Sequence, residues 1–337
     1  MNKNKIITTV WQSYNCLSLS LWPLSKVYCF VIQIRKFCYQ INCFKTQSFS
    51  APVIVVGNIT VGGNGKTPLI IQLLSEFKNR GFNPGVVSRG YAGTHPLLAQ
   101  GETIAVDTSD KALLYGDEAW MIANKTQFPV VVGRNRAMAV AHLIKDFGCD
   151  MVLSDDGLQH YAMVRDIEIC VVDNSKKFGN GFCLPAGPLR EPVSRLKQVD
   201  YIVNHQTSAE GSDKQGITMH LEFDQLLALN SRDPSATLSD FKNKSVHAIA
   251  GIANPARFFN QLRQNGINVI EHGFADHYQF QPSDFEFKDN YPVLMTEKDA
   301  VKCINFKLAN CYYISVKATL SADLVKSIIA KLKIKGR

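Results

Sequence analysis

Not one Asp or Glu precedes Glu76, although Lys3, Lys5, Lys26, Arg35, Lys36 and Lys45 all fall within the first 50 residues. In a chain of net charge +8, a first segment free of acid points to an anionic surface as its partner. No Cys-x-x-Cys pair occurs among the nine cysteines (Cys16, Cys29, Cys38, Cys43, Cys149, Cys170, Cys183, Cys303 and Cys311), and their number is odd. That spacing supports neither a zinc site nor a disulfide framework and fits a reducing cytosolic setting. No compact apolar region runs into a small-residue cleavage site, which argues against a cleaved signal peptide. Internal repeats and low-complexity tracts are missing too. What is present, 46% hydrophobic and 20% charged residues over 337 positions, suffices for a large core and for two domains.

Residues 17 to 34 are mostly apolar and as a helix would span about 27 Å, close to the hydrocarbon thickness of a bilayer. Pro23 and Lys26 near the middle argue against crossing, since a lysine at the bilayer centre costs about 2.5 to 3.5 kcal/mol; Ser18, Ser20, Ser25 and Gln33 add to the argument. After Pro23 a helical projection gathers Leu24, Val27, Tyr28, Val31, Ile34, Cys38 and Ile41 on one arc, interrupted by Arg35. Ser25, Lys26, Gln33, Lys36 and Gln40 lie on the other. This pattern suits a helix lying in the membrane interface, or one packed on the protein's own core.

Residues 53 to 68 read Val-Ile-Val-Val-Gly-Asn-Ile-Thr-Val-Gly-Gly-Asn-Gly-Lys-Thr-Pro. An apolar, β-branched strand here feeds a glycine-rich turn, and Leu69, Ile70, Leu73, Leu74 and Phe77 then recur at helical spacing. Strand, loop and helix in that order form a phosphate cradle: successive backbone N–H groups and the helix N-terminus surround an anion, a lysine charge reaches the β- and γ-phosphates, and a hydroxyl reaches Mg²⁺. Thr60, Val61, Gly62, Gly63, Asn64, Gly65, Lys66 and Thr67 are the expected ATP-binding residues. Thr60 stands where the usual pattern has its first glycine.

Apolar runs at 53–56, 85–87, 129–132, 151–153, 167–172 and 201–203 alternate with helical segments. The fold class they imply is α/β, a P-loop NTPase-like, doubly wound, mostly parallel sheet. Past a polar stretch at 205–216, runs at 245–251, 269–271, 293–296 and 312–316 around a helix at 255–264 imply a second, smaller α/β lobe. The expected organisation is a basic amphipathic segment at 1–46, the P-loop domain at 47–205, a linker or ribbon at 206–244, and the smaller lobe at 245–337, closing over ATP.

Asp155 and Asp156 end the apolar run that starts at Met151, and hard carboxylate oxygens at a strand tip beside a P-loop suit Mg²⁺, with Thr67 as the third metal-side group. Asp117 either caps the helix it opens or takes a proton from an acceptor hydroxyl, with His277 as a partner from the second lobe. Arg89 and Arg190 follow rigid strand-end loops and can clamp phosphate or form surface ion pairs.

These segments, in the order Gly62-Gly-Asn-Gly-Lys-Thr-Pro68, Ser88-Arg-Gly-Tyr91, Gly116-Asp-Glu118, Ser154-Asp-Asp-Gly-Leu-Gln-His160, Leu184-Pro-Ala-Gly-Pro-Leu-Arg-Glu-Pro192, Asn254-Pro-Ala-Arg-Phe-Phe259, Asp276-His277 and Met295-Thr-Glu-Lys-Asp-Ala-Val-Lys302, resemble the tetraacyldisaccharide 4'-kinase family over nearly the whole chain. The resemblance implies ATP- and Mg²⁺-dependent phosphorylation of the 4'-hydroxyl of a tetraacylated glucosamine disaccharide 1-phosphate, the lipid A precursor, on the cytoplasmic face of the bacterial inner membrane. It implies catalytic roles for Asp117, His277 and Lys66, and places Gln159, His160, Arg190 and Glu191 along the cleft beside Arg89. A monomer on an anionic membrane, without a nucleic-acid partner, is expected. Ala119 and Tyr278 depart from the family's common Pro and second His. A P-loop GTPase or metallocentre assembly factor is the first rival, but Asn124-Lys-Thr-Gln127 lacks the Asp of a guanine-reading motif. A dethiobiotin-synthetase-like ligase is the second, and it leaves the N-terminal segment without a purpose.

Overall fold

The computed structural model describes residues 10–63, 65–206, 216–229, 234–276 and 278–336. Its first long element is helix α1 (Cys16–Gln40). Strand β1 (Val53–Gly57), helix α2 (Lys66–Asn79), β2 (Pro84–Ser88), the short helices α3 (Pro96–Ala99) and α4 (Ala112–Tyr115) flanking β3 (Ile104–Ala105), α5 (Asp117–Thr126), β4 (Val130–Val132), α6 (Arg136–Phe147), β5 (Met151–Asp155), β6 (Ile167–Asp173) and β7 (Tyr201–Gln206) follow. Then come β8 (Ile217–Ala228), β9 (Pro234–Ala236), β10 (Ser245–Ala250), α7 (Pro255–Gln264), β11 (Asn268–Gly273), β12 (Val293–Thr296), α8 (Glu297–Cys303), β13 (Cys311–Leu320) and α9 (Leu324–Ile334).

β1 is buried at every position because it is sandwiched between helices, and its side chains alternate between two cores. Ile54 and Val56 pack with Leu69, Leu73 and Phe77 of α2 on one face of the sheet. Val53 and Val55 join Val140 and Leu143 of α6 on the other. β1 lies between β5 and β6, all parallel, with β2 beyond β5 and β7 beyond β6. The expected doubly wound, mostly parallel sheet is therefore the observed one, with its six sequence-read strands each present.

The division into lobes differs from expectation in one respect. β8 pairs parallel with β7 and antiparallel with β13, so one continuous sheet runs in the order β11-β10-β12-β13-β8-β7-β6-β1-β5-β2-β4-β3. The span 206–244, read as a linker or ribbon, contributes a strand that ties the smaller lobe (β10 to β13) to the larger. It has no continuous apolar run because one strand of this kind needs only alternating apolar positions, here Met219, Leu221 and Phe223, to meet the core. The polar stretch at 207–215 lies outside the described residues.

α1 begins with a reciprocal cap in which Asn15 accepts from the Ser18 backbone and Ser18 accepts from that of Asn15. Its orientation inverts the usual rule. Ser18 and Ser25 are buried, whereas Leu24, Val27, Phe30, Val31 and Ile34 are exposed. Small side chains let α1 approach the body closely, and Tyr28 reaches across to donate to the Arg190 carbonyl at 3.2 Å. Most of the apolar arc read from the sequence, Leu24, Val27, Val31, Ile34 and Ile41, is turned away from the protein, while Tyr28 and Cys38 are partly buried.

Candidate active site

Parallel strands end at the same edge of a sheet, and in open α/β sheets that edge carries the ligand crevice. Here β1 delivers the loop 58–65, β2 Arg89, β5 Asp155 and Asp156, and β6 Asp173, while β7 carries His205. The smaller lobe's strands β10, β11 and β12 deliver residues 251–254, 274–276 and 296–298. The two sets enclose one cleft, lined among others by Gly63, Gly65, Lys66, Thr67, Glu118, Arg257, Asp276 and Lys298.

Gly65 precedes α2 with φ 84°, a left-handed conformation that glycine adopts without strain. Among the described residues no side chain caps the helix there, and its first turn holds no acid, which suits the N–H groups of α2 to an anion. A Cβ on Gly65 would come within 3.1 Å of His205 Nδ1, which keeps this position small. Asn58, fully buried, braces the loop: its amide donates to the Gly62 carbonyl at 3.2 Å, and its Oδ1 accepts from Lys66 Nζ at 3.1 Å. Thr60 and Val61 are tied to the segment bearing Arg190, Val61 N donating to the Pro188 carbonyl and Arg190 N to that of Ile59. Asn64 lies outside the described residues. Lys66 and Thr67 are buried at the start of α2.

Asp156 sits at φ 51° and lies 3.4 Å from Lys66 Nζ and 2.7 Å from an Arg190 nitrogen. Burial alone would raise its pKa, but the two cations outweigh burial and hold the carboxyl below its usual range. Asp155 behaves oppositely: burial, reinforced by the like charges of Glu118 and Asp156, pushes it up to about 7. Ser88 donates to its Oδ2 at 3.3 Å, and the buried Arg136 guanidinium bonds the Val87 and Asp155 carbonyls, both at 2.8 Å, locking the tips of β2 and β5 together.

Asp155 Oδ1 is buried without a hydrogen-bond partner, and the buried Asp156 Oδ1 meets only the Lys66 ammonium, 3.4 Å away. Among the described residues no group of three or more His, Cys, Asp or Glu could by itself hold a metal ion. Two adjacent carboxylates at a strand tip, one with an unpartnered buried oxygen and neither part of a protein cage, match Mg²⁺, which takes one or two carboxylates and completes its shell with water and phosphate oxygens.

Asp117 occupies the first turn of α5 behind Gly116, whose φ is 91° and whose Cβ would lie 2.5 Å from the Tyr91 carbonyl. His277 lies outside the described residues. Next to it, Asp276 accepts from Lys298 at 3.3 Å, and Lys298 also pairs with Glu118 across the cleft at 3.2 Å. Those two carboxylates raise the Lys298 pKa although burial opposes them.

Arg89 is exposed at the end of β2. Gln159 and Glu191 turn inward instead. Glu191 is buried, accepting from Gln159 Nε2 and the Tyr161 hydroxyl, each at 2.7 Å, and pairing with Arg195 at 3.2 Å. This network holds the Arg190 loop against the P-loop. Sequence reading passed over Asn58, Arg136, Glu118, Lys298, Arg257 and His205. Asn58, Glu118, Arg257 and Lys298 sat inside strings already singled out, whereas Arg136 and His205 are isolated residues that carry no spacing signal.

Burial, with the charges of Arg136 and three further arginines, drives the His160 pKa down from 6.5 to about 4. Between those values the unfolded chain binds a proton that the folded chain refuses, so stability rises with pH across this window and falls as pH drops through it. Allowing for solvent screening, about 2 kcal/mol of the wild type's stability gain from pH 4 to 6.5 is expected to vanish in His160→Gln. Urea midpoints at half-unit pH steps measure it, and parallel curves for the two proteins would remove the assignment.

A family model described as Tetraacyldisaccharide-1-P 4'-kinase matches residues 17–333. The chain is similar to the tetraacyldisaccharide 4'-kinase of Ruthia magnifica subsp. Calyptogena magnifica, 46% identical over 94% of this chain and 98% of that protein. It is 44% identical to that of Coxiella burnetii (strain RSA 331 / Henzerling II), over 92% of this chain and 90% of that one. Among solved structures, that of LpxK from Aquifex aeolicus in complex with ATP superposes with a TM-score of 0.78 at 28% identity, covering 94% of this chain and 99% of that one.

Proposed function

The chain belongs to the tetraacyldisaccharide-1-P 4'-kinase family, so it is a kinase of lipid A biosynthesis acting on an alcohol group, and we propose that the cleft between its lobes is where the transfer takes place. The family assignment removes the GTPase and ligase readings. The observation that carries the site is the meeting, at one sheet edge, of a helix N-terminus without a side-chain cap among the described residues, Lys66 paired with Asp156, and Asp155 with an orphaned buried oxygen.

In this reading the amides of residues 62–67 and the Lys66 ammonium hold the β- and γ-phosphoryl groups of ATP. Thr67, Asp155 and Asp156 would hold Mg²⁺, which when bound neutralises charge on those phosphoryl oxygens. Lys66 and Arg190 together keep Asp156 ionised, and Arg190 orients it through its 2.7 Å contact. Asp117 takes the proton of the 4'-hydroxyl as its oxygen bonds to the γ-phosphorus and the bond to the β-γ bridging oxygen breaks. Lys298, pairing with Glu118, draws the smaller lobe over the nucleotide and excludes water. Incubation with γ-labelled ATP, Mg²⁺ and tetraacyldisaccharide 1-phosphate in detergent is expected to place label on the 4' position of the lipid; label appearing only as free phosphate would refute the transfer.

We also infer that α1 seats the enzyme on an anionic membrane. It is long and apolar enough to cross one, with mean hydropathy 1.4 over 18 residues, but its basic residues and its packing against the body favour the interface. A substrate with four acyl chains stays in the bilayer, at about 0.8 kcal/mol per buried methylene, so the enzyme has to go to it. Leu24→Glu with Val31→Glu changes two exposed positions and is expected to shift the protein from vesicles to the soluble fraction and to raise KM for lipid. Deletion of residues 1–40 is expected to do the same. Unchanged cosedimentation would count against the interface reading.

A further inference from the structure

Arg257 has no assigned task, and its surroundings are unusual for an arginine. It sits in the first turn of α7, on the smaller lobe, and lines the cleft opposite Gly63, Gly65, Lys66 and Thr67. One Nη2 contact, at 2.7 Å, goes to His205 Nε2. Because a guanidinium has only donors, the imidazole nitrogen facing it must be the acceptor, so His205 offers a neutral lone pair and no compensating charge. His205 itself is buried and packs against Gly65.

Charge accounting around the cleft separates Arg257 from the other partly or fully buried cations, whereas Lys176 and Arg89 are exposed to water. Lys66 has Asp156, Lys298 has Glu118 and Asp276, and Arg190 has Asp156. Asp173 is the acid whose field reaches Arg257, but its Oδ1 is engaged by the Ser175 backbone and hydroxyl at 2.9 and 2.6 Å. Among the described residues Arg257 forms no ion pair with any carboxylate. Loss of water from the half-buried guanidinium lowers its pKa, which marks the cost of holding this charge with a neutral partner alone. A half-buried cation without a paired carboxylate is stabilised when an anion enters.

We propose that Arg257 is a nucleotide-contacting residue whose guanidinium binds the polyphosphate chain of ATP from the smaller lobe, opposite Lys66, with His205 holding it in place while the cleft is empty. The fork geometry suits two phosphoryl oxygens at once. A contact from one lobe to a ligand seated on the other also closes the cleft as the nucleotide binds. This rests on the reading that residues 62–67 bind ATP.

The test compares competitive binding of ATP, ADP and adenosine to the full-length wild type, Arg257→Ala, Arg257→Lys and Lys66→Ala, with kcat and both KM values for each. Arg257→Ala is expected to weaken ATP and ADP on the order of 10- to 100-fold, to leave adenosine and KM for lipid unchanged, and to be partly rescued in Arg257→Lys. Equal weakening of adenosine would overturn the proposal in favour of a contact to the base or ribose. Unchanged ATP affinity in both folded Arg257 variants would overturn it outright. If Lys66→Ala also leaves ATP affinity unchanged, the underlying P-loop reading has failed instead, and the two failures are told apart.

Discussion

Lys66→Ala is expected to lower kcat/KM by about 10³-fold or more, because it removes the one loop cation aimed at the phosphoryl groups during transfer. The fold should survive. Asp156 keeps its 2.7 Å contact with Arg190, and Asn58 keeps its bond to the Gly62 carbonyl, so the thermal midpoint should move by only a few degrees. Lys66→Arg should not rescue the rate, since the pocket is shaped by a compact ammonium 3.1 Å from Asn58 Oδ1 and a planar fork does not fit that role. Steady-state kinetics with a circular-dichroism melt decides the matter. A variant with near-normal turnover would mean that the phosphates lie elsewhere.

Asp117→Asn is expected to reduce kcat by about 10² to 10⁴ with little change in KM for ATP, since the group acts on the acceptor and not on the nucleotide. Its place in the first turn of α5 supplies the competing account. A carboxylate there also complements the helix dipole, which is worth about 0.3 to 1 kcal/mol. The two accounts separate cleanly: loss of the dipole partner lowers the melting midpoint and leaves kcat alone, while loss of the base lowers kcat across the whole pH range. A variant with full turnover and reduced stability would reassign Asp117 as a cap.

What was legible in the sequence follows from what leaves a periodic trace. β1, β5 and β6 are buried on both faces along most of their length, so each is a mostly apolar run, broken in β6 only by Glu168 before its C-terminal Asp, and the loop after β1 is marked by glycines its backbone requires. β8 left no such run because its outward positions are polar, so the continuity of the sheet between lobes could not be read. Composition left open which face of α1 meets the body. The projection sorted apolar from polar correctly, yet Ser25 from the polar arc is buried and Leu24 from the apolar arc is exposed. A projection cannot tell whether the solvent of the apolar face is the protein or a lipid surface. In the cleft, sequence reading found the groups that strand ends and glycine-rich loops present, Lys66, Asp155 and Asp156. It missed the groups that tertiary structure brings in from afar: Lys298 and Arg257 belong to segments more than 100 positions downstream, and only the joining of the two lobes sets them opposite the loop.

The most direct test is a crystal structure of the full chain with a non-hydrolysable ATP analogue and Mg²⁺. The account predicts the phosphate tail on the amides of residues 62–67, the ion shared between that tail, Thr67 and the Asp155–Asp156 strand tip, and residues of both lobes in contact with the nucleotide. A nucleotide bound elsewhere, with this hollow filled by side chains, would contradict it.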